Sequence, residues 1–194
     1  MRILRAADHK VMPWKNGGGS TTEIAVAPAG AGLGDFDWRV SMAGVVEDGA
    51  FSRFPGIDRT LAVIEGAGIE LVTAGREPAR LTLESAPFAF DGAAQTSARL
   101  IDGPILDLNV MTRRGRFAHE VRRLASGEEV TTRGEASLVL SRMDGQEILV
   151  DGSPVRLDMN DAALFEEAGR RLTLRPGPGG AFFVVHFTAA SAAI

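Results

Sequence analysis

Residues 61–92 read LAVIEGAGIELVTAGREPARLTLESAPFAFDG, and residues 138–169 read LVLSRMDGQEILVDGSPVRLDMNDAALFEEAG. Each runs through an apolar segment, a glycine turn, a second apolar segment ending near glycine, a short turn, an Arg-Leu segment and a pair of bulky residues. Arg80-Leu81 answers Arg156-Leu157, Gly75 answers Gly152 with one residue of slippage, and Phe88 answers Leu164. Glycine recurs because such turns need positive φ, and the alternation between turns sends one face of each hairpin inward. A repeated hairpin unit predicts two similar β lobes in one chain. Part of this likeness is common to any two β-hairpins, which leaves one large all-β domain as the alternative.

Working outward, short runs rich in β-branched and aromatic residues predict strands at 22–27, 38–45, 60–65, 69–74, 79–84, 106–112, 117–124, 137–141, 147–150, 155–158, 163–165, 171–175 and 182–187. Gly, Pro, Asp and Asn punctuate them, as at Asp91-Gly92, Asp102-Gly103-Pro104 and Asp151-Gly152. No interval offers a crossover helix of normal length, so the pattern describes a sandwich or closed barrel rather than a βαβ protein. The arginine-rich segment 113–116 is the natural junction, which gives a first lobe at 1–112 and a second at 113–194.

Composition narrows the function classes. Cysteine is absent, which removes disulfides, thiolate metal sites and cysteine nucleophiles together. A net charge of -4 argues against a nucleic-acid backbone as partner, because such binding rests on accumulated positive charge. Arg113, Arg114, Arg116, Arg122 and Arg123 form one basic cluster, read as a solvated linker face. No apolar run approaches a membrane span of roughly 20 residues. Arg2 and Arg5 are followed by no apolar stretch of the signal-peptide kind, so a cytoplasmic location is expected.

Four phrases are more specific: 13–24 PWKNGGGSTTEI, 36–43 FDWRVSMA, 51–60 FSRFPGIDRT and 107–114 DLNVMTRR. In this order they resemble the HutD/Ves family, strongly over residues 1–120 and loosely beyond. The hairpin at Glu65-Gly66-Ala67-Gly68 with the following Gly75 resembles a cupin phrase. The resemblance implies an all-β bicupin of two fused cupin-like barrel or sandwich lobes. It further implies an association with histidine utilisation and the binding of a pathway intermediate, with no assigned reaction. Cupins often pair through strand edges, so a homodimer is open.

Metal-dependent cupins carry two histidines one residue apart, then a Glu and a later third histidine. This chain has only His9, His119 and His186, and the place of the first pair reads Asp58-Arg59-Thr60-Leu61. No metal site and no cofactor are expected. His186, within the apolar run 182–187, reads as a satisfied strand histidine, while His119 and His9 read as exposed.

The remaining candidates are polar residues of the specific phrases. Lys15 and Asn16 precede Gly17, Gly18 and Gly19, a run able to bring backbone N–H groups close to an anion. The competing account is an entry loop to the next strand, with Lys15 solvated and Trp14 packed as a cap. Arg39 and Ser41 lie two apart on a strand and share one face, directed either to solvent or into a polar barrel interior. Arg59 occupies the metal position of ordinary cupins, with Asp58 as its expected partner. Thr22 and Glu23 open a strand beside the glycine run, and Asp107 and Asn109 alternate onto one face of another. A pocket of these residues would take a small anion through arginine and amide groups. Urocanate and formylglutamate fit, as do many other carboxylates. The expected function is non-catalytic binding of a small carboxylate that modulates histidine utilisation. The alternative is a metal-free hydrolase or isomerase with Glu23 or Asp107 as general base.

Overall fold

The alternation of the repeated hairpins is drawn out into strands in the computed structural model, which describes residues 1–14, 18–124 and 127–190. In chain order the strands are β1 (Arg2–Leu4), β2 (Lys10–Pro13), β3 (Gly19–Ala27), β4 (Trp38–Val45), β5 (Gly49–Ala50), β6 (Ile57–Glu65), β7 (Ile69–Thr73), β8 (Ala79–Leu81), β9 (Phe88–Asp91), β10 (Thr96–Leu100) and β11 (Ile105–Arg113). There follow β12 (Phe117–Leu124), β13 (Glu129–Thr131), β14 (Ala136–Ser141), β15 (Gln146–Val150), β16 (Ser153–Leu157), β17 (Ala162–Phe165), β18 (Arg171–Arg175) and β19 (Phe182–Ala189). The helical content among the described residues is one 3-10 turn at Ala6–Asp8.

The first lobe is Lys10–Arg116, built from a six-stranded sheet β2-β3-β4-β11-β6-β9 and a four-stranded sheet β5-β10-β7-β8. The second is Met1–His9 with Phe117–Ile194, built from β1-β17-β14-β19-β12 and β13-β18-β15-β16. Adding eight to each strand number from β4 to β11 reproduces the second lobe's sheet orders, so both lobes are the same cupin-type barrel. The junction placed at residues 112 and 113 falls inside β11, which runs on to Arg113 before the turn at Gly115. The first nine residues belong to the second lobe because Arg2, Ile3 and Leu4 pair with Leu164, Ala163 and Ala162.

The ladders also shift the repeat by one residue. Leu61 lies opposite Asn109, and the corresponding ladder position in the second lobe is Ser137, opposite His186. Leu61 faces the first lobe's interior, whereas in the second lobe Val139, two residues from Ser137, faces in and the equally buried Leu138 lies on the opposite face of the sheet. A shift of one residue exchanges the two faces of a strand, so Phe165, not Leu164, takes the place of Phe88.

Strands that escaped the sequence pattern are short or carry weak inward residues. β10 turns Thr96 and Ala98 inward, too small or polar to register as an apolar stripe, and β13 has three residues. The strand expected at 79–84 ends at Leu81, because the Thr82 N–H turns to the Ser85 hydroxyl at 2.9 Å.

Gly68, in the turn between β6 and β7, has φ +118, and a Cβ there would lie 2.3 Å from the Leu81 carbonyl oxygen. Left-handed strain and backbone overlap add, so Gly68→Ala is expected to cost the first lobe about 3 kcal/mol. Urea unfolding monitored by tryptophan fluorescence checks this, since Trp14 and Trp38 are both in that lobe. An unchanged midpoint would show that the turn relaxes freely.

Candidate functional site

The barrel interiors of the two lobes differ in chemistry. The second is lined mainly by Val139, Ile148, Phe165, Leu172, Phe182 and Val184, with the hydrogen-bonded pairs Ser137–His186 and Ser141–Gln146 on the same strand faces. In the first, Leu61, Val63, Ile69, Leu71 and Phe90 share the interior with a polar group carried by the central strands.

Strand periodicity places that group. Arg39 and Ser41 on β4, Asp107 and Asn109 on β11, and Arg59 on β6 alternate with Trp38, Val40, Met42, Leu108 and Val110, which take the opposite face. The antiparallel register brings the polar side chains into rows. Met111 lies between Arg39 and Arg59, and Asn109 between Ser41 and Leu61. On β3 a bulge between Glu23 and Ala25 changes the register, setting Glu23 beside Ser41 and Thr21 beside Ala43.

The hydrogen bonds form two branches. Arg39 Nε donates to Glu23 Oε2 at 2.7 Å, and its Nη1 reaches Ser41 Oγ at 3.5 Å. Arg59 Nη2 donates to Asn109 Oδ1 at 2.5 Å, and Asn109 Nδ2 donates to Asp107 Oδ1. These bonds fix which way the amide points, since its oxygen faces a cation and its nitrogen a carboxylate. Arg59 Nη1 also donates to the Ser52 carbonyl at 3.3 Å. The guanidinium lies 5.3, 5.6 and 5.1 Å from the ring centres of Phe51, Phe54 and Phe90.

Burial sets the electrostatics. Arg59 is 5% exposed and Asp107 has no exposed surface. Burial lowers the Arg59 pKa to about 10, against the attraction of Asp107, while Arg39 lowers it further. Burial pushes Asp107 up to about 7, with Arg59 and Asn109 opposing. Two atoms of this group, Arg59 Nε and Asp107 Oδ2, meet no partner among the described residues. One is a donor and the other an acceptor.

The other expected site residues fall elsewhere. Thr22 lies beside Met42 on the opposite face of the sheet, because it alternates with Thr21 and Glu23. Thr21 takes the inward position and receives the Trp14 indole N–H at 2.8 Å. Asp58 is not the partner of Arg59: neighbours on a strand face opposite ways, and Asp58 binds Arg114 at 2.6 Å. Lys15, Asn16 and Gly17 lie outside the described residues. Gly18 is buried and its carbonyl accepts the Val46 N–H at 3.3 Å, while Gly19 pairs with Val45 in the ladder. A Cβ on Gly19 would sit 2.0 Å from the Gly44 carbonyl oxygen and 3.1 Å from the Trp14 ring, so glycine is what lets β3 lie this close. A cleft of about 60 Å³ opens beside Trp14, Gly18, Val45 and Phe51, with Glu47 and Asp48 on its lining.

The basic cluster is engaged rather than merely solvated. Arg113 donates to the Phe36 and Gly34 carbonyls, Arg114 pairs with Asp58 and Asp91, Arg116 with Asp37 and Arg122 with Glu128. Among the histidines, His186 Nδ1 lies 2.8 Å from Ser137 Oγ, and burial lowers its pKa. His9 and His119, expected to be exposed, are half-buried. No group of three His, Cys, Asp or Glu side chains suited to a metal occurs among the described residues. The aromatic surround of Arg59 has no signal in the strand pattern. The phrase at 51–60 contains two of its three phenylalanines, but they lie in an irregular segment whose direction no periodicity fixes.

The HutD family model matches residues 6–182. An uncharacterised 21.2 kDa protein in the hutC 3' region of Pseudomonas putida is 37% identical over 183 residues, covering 90% of this chain and 95% of that protein. Protein Ves of Citrobacter koseri is 39% identical over 120 residues, covering 59% of this chain and 61% of Ves. The structure of HutD from Pseudomonas fluorescens SBW25, in a formate condition, has 36% identity and a TM-score of 0.83, and the match covers 97% and 98% of the two chains.

Proposed function

The chain belongs to the HutD family, and on that premise we propose that it binds a small carboxylate inside its first lobe. One observation carries this: a guanidinium buried among three phenylalanines, positioned by Asn109, with its Nε–H unanswered. A planar fork removed from water is suited to a carboxylate, and such pairs strengthen where solvent is excluded. The hutC neighbourhood of the Pseudomonas putida relative favours a carboxylated intermediate of histidine breakdown, such as urocanate or formylglutamate, and a role in modulating that pathway.

Calorimetric titration and thermal shift with urocanate, formylglutamate and formiminoglutamate test the proposal. Saturable binding and a rise in Tm with at least one of them are expected, since a ligand that binds only the folded state stabilises it. No response at millimolar concentration of any of the three would overturn it. Asp107 favours a second reading, because a buried carboxylate pushed up to about 7 beside an arginine suits a general base. Mass spectrometry of the same mixtures separates the two: unchanged compounds support a binder, and turnover supports a metal-free enzyme.

A further inference from the structure

We infer that the ligand carries an N–H or O–H donor beside its carboxylate, and that Asp107 is the residue that selects for it. The inference rests on the first-lobe interior being an anion site.

Asp107 is wholly buried, and one of its oxygens is taken by Asn109. The groups around the other oxygen account for themselves. On β4 the Ser41 hydroxyl accepts from Arg39, on β3 Glu23 holds Arg39 and the Thr21 hydroxyl accepts from Trp14, and neither hydroxyl reaches Asp107 Oδ2 with its own O–H. On β6, Arg59 is turned to Asn109 and the Ser52 carbonyl. The facing sheet presents Ile69, Leu71 and Ala98, which have no side-chain donors, and its two buried threonines, Thr73 and Thr96, bond to each other at 3.5 Å. No donor among the described residues reaches Asp107 Oδ2.

The two residues that carry the unanswered atoms are joined through one amide, because Asn109 accepts from Arg59 Nη2 and donates to Asp107 Oδ1. They ask for opposite things. Arg59 Nε seeks an acceptor, and Asp107 Oδ2, in the ionised form that prevails above pH 7, seeks a donor. A bare carboxylate answers the first and sets a second negative charge near Asp107. A carboxylate bearing an amide, amine or hydroxyl next to it answers both. Sites that hold a buried polar atom for one ligand group reject the analogue lacking that group, because the atom is then left unpaired. The ligand class is therefore amido-, amino- or hydroxy-carboxylates rather than plain ones.

A matched pair of probes tests this by calorimetry on the full chain at pH 8, where Asp107 is ionised. N-acetylglycine carries the N–H, and acetoxyacetate replaces it with an ether-type oxygen of nearly the same shape. The N–H compound is expected to bind at least about tenfold tighter, as such unpaired groups discriminate. In Asp107→Asn, the preference is expected to fall below about threefold or to reverse, because the amide can donate as well as accept. Equal affinities in the parent protein, or a preference that survives in Asp107→Asn, would overturn the inference alone. Binding of neither probe, with Arg59→Lys indistinguishable from the parent, would overturn the anion site and this inference together.

Discussion

Asp107→Asn is expected to stabilise the first lobe increasingly as pH rises, gaining about 2 to 3 kcal/mol over the parent between pH 5 and pH 8. The folded-state pKa is raised from an ordinary carboxylate value to about 7, chiefly by burial. Between roughly pH 4 and pH 7 the folded lobe therefore keeps a proton that the unfolded chain has released. Stability from this group falls as pH climbs through that window and levels off above it. Asparagine resembles the protonated acid, retains the acceptor for Asn109 Nδ2, and has no charge to bury. His9 and His186 pull the opposite way: burial lowers both, so their share of stability is full above pH 6.5 and is lost as pH falls below it. Both are present in parent and variant, so the difference between the two isolates Asp107. Urea unfolding of both proteins at pH 5, 6, 7 and 8 measures it, and parallel curves would show that the carboxylate is ionised at little cost.

Arg59→Lys is expected to lower carboxylate affinity by about 100-fold while leaving the lobe folded. The charge survives, but an ammonium is a compact point donor without the planar fork. It presents no flat face to Phe51, Phe54 and Phe90, and its shorter reach weakens the bond that sets Asn109. Calorimetric titration gives the affinity and far-ultraviolet circular dichroism the fold. A loss smaller than about threefold would show that the fork is not what holds the anion. Together the two variants place stability and recognition in opposition: the buried charges that make the interior receptive also weaken it, a trade seen generally at binding sites.

Much of the fold is legible in the chain because β-hairpins announce themselves by period and punctuation. The strands at 38–45, 117–124 and 171–175 match the observed ones residue for residue. The lobe order is also visible in the repeat. What the pattern does not carry is pairing between distant segments, as with β1 against β17. Of the candidate site, Arg39, Ser41, Arg59, Asp107 and Asn109 come onto one inward face because alternation is a property of the strand itself. Thr22 misled because it is the immediate neighbour of Glu23 in a regular stretch of β3 and so faces the other side of the sheet. Asp58 misled because adjacency in sequence is separation across a strand.

The strand β1 has a consequence for how the protein is made. Ile3 pairs with Ala163, so a segment that leaves the ribosome ahead of the first lobe must find a partner about 160 residues downstream. At about 5 to 20 residues per second, it spends on the order of ten seconds or more without that partner. The first lobe, Lys10–Arg116, contains all its own strands and is able to close within this interval. The second lobe's sheet is completed by a segment translated before the first lobe existed. Its assembly is therefore late in biosynthesis, and the three residues Arg2–Leu4 are made before the first lobe and seated after it.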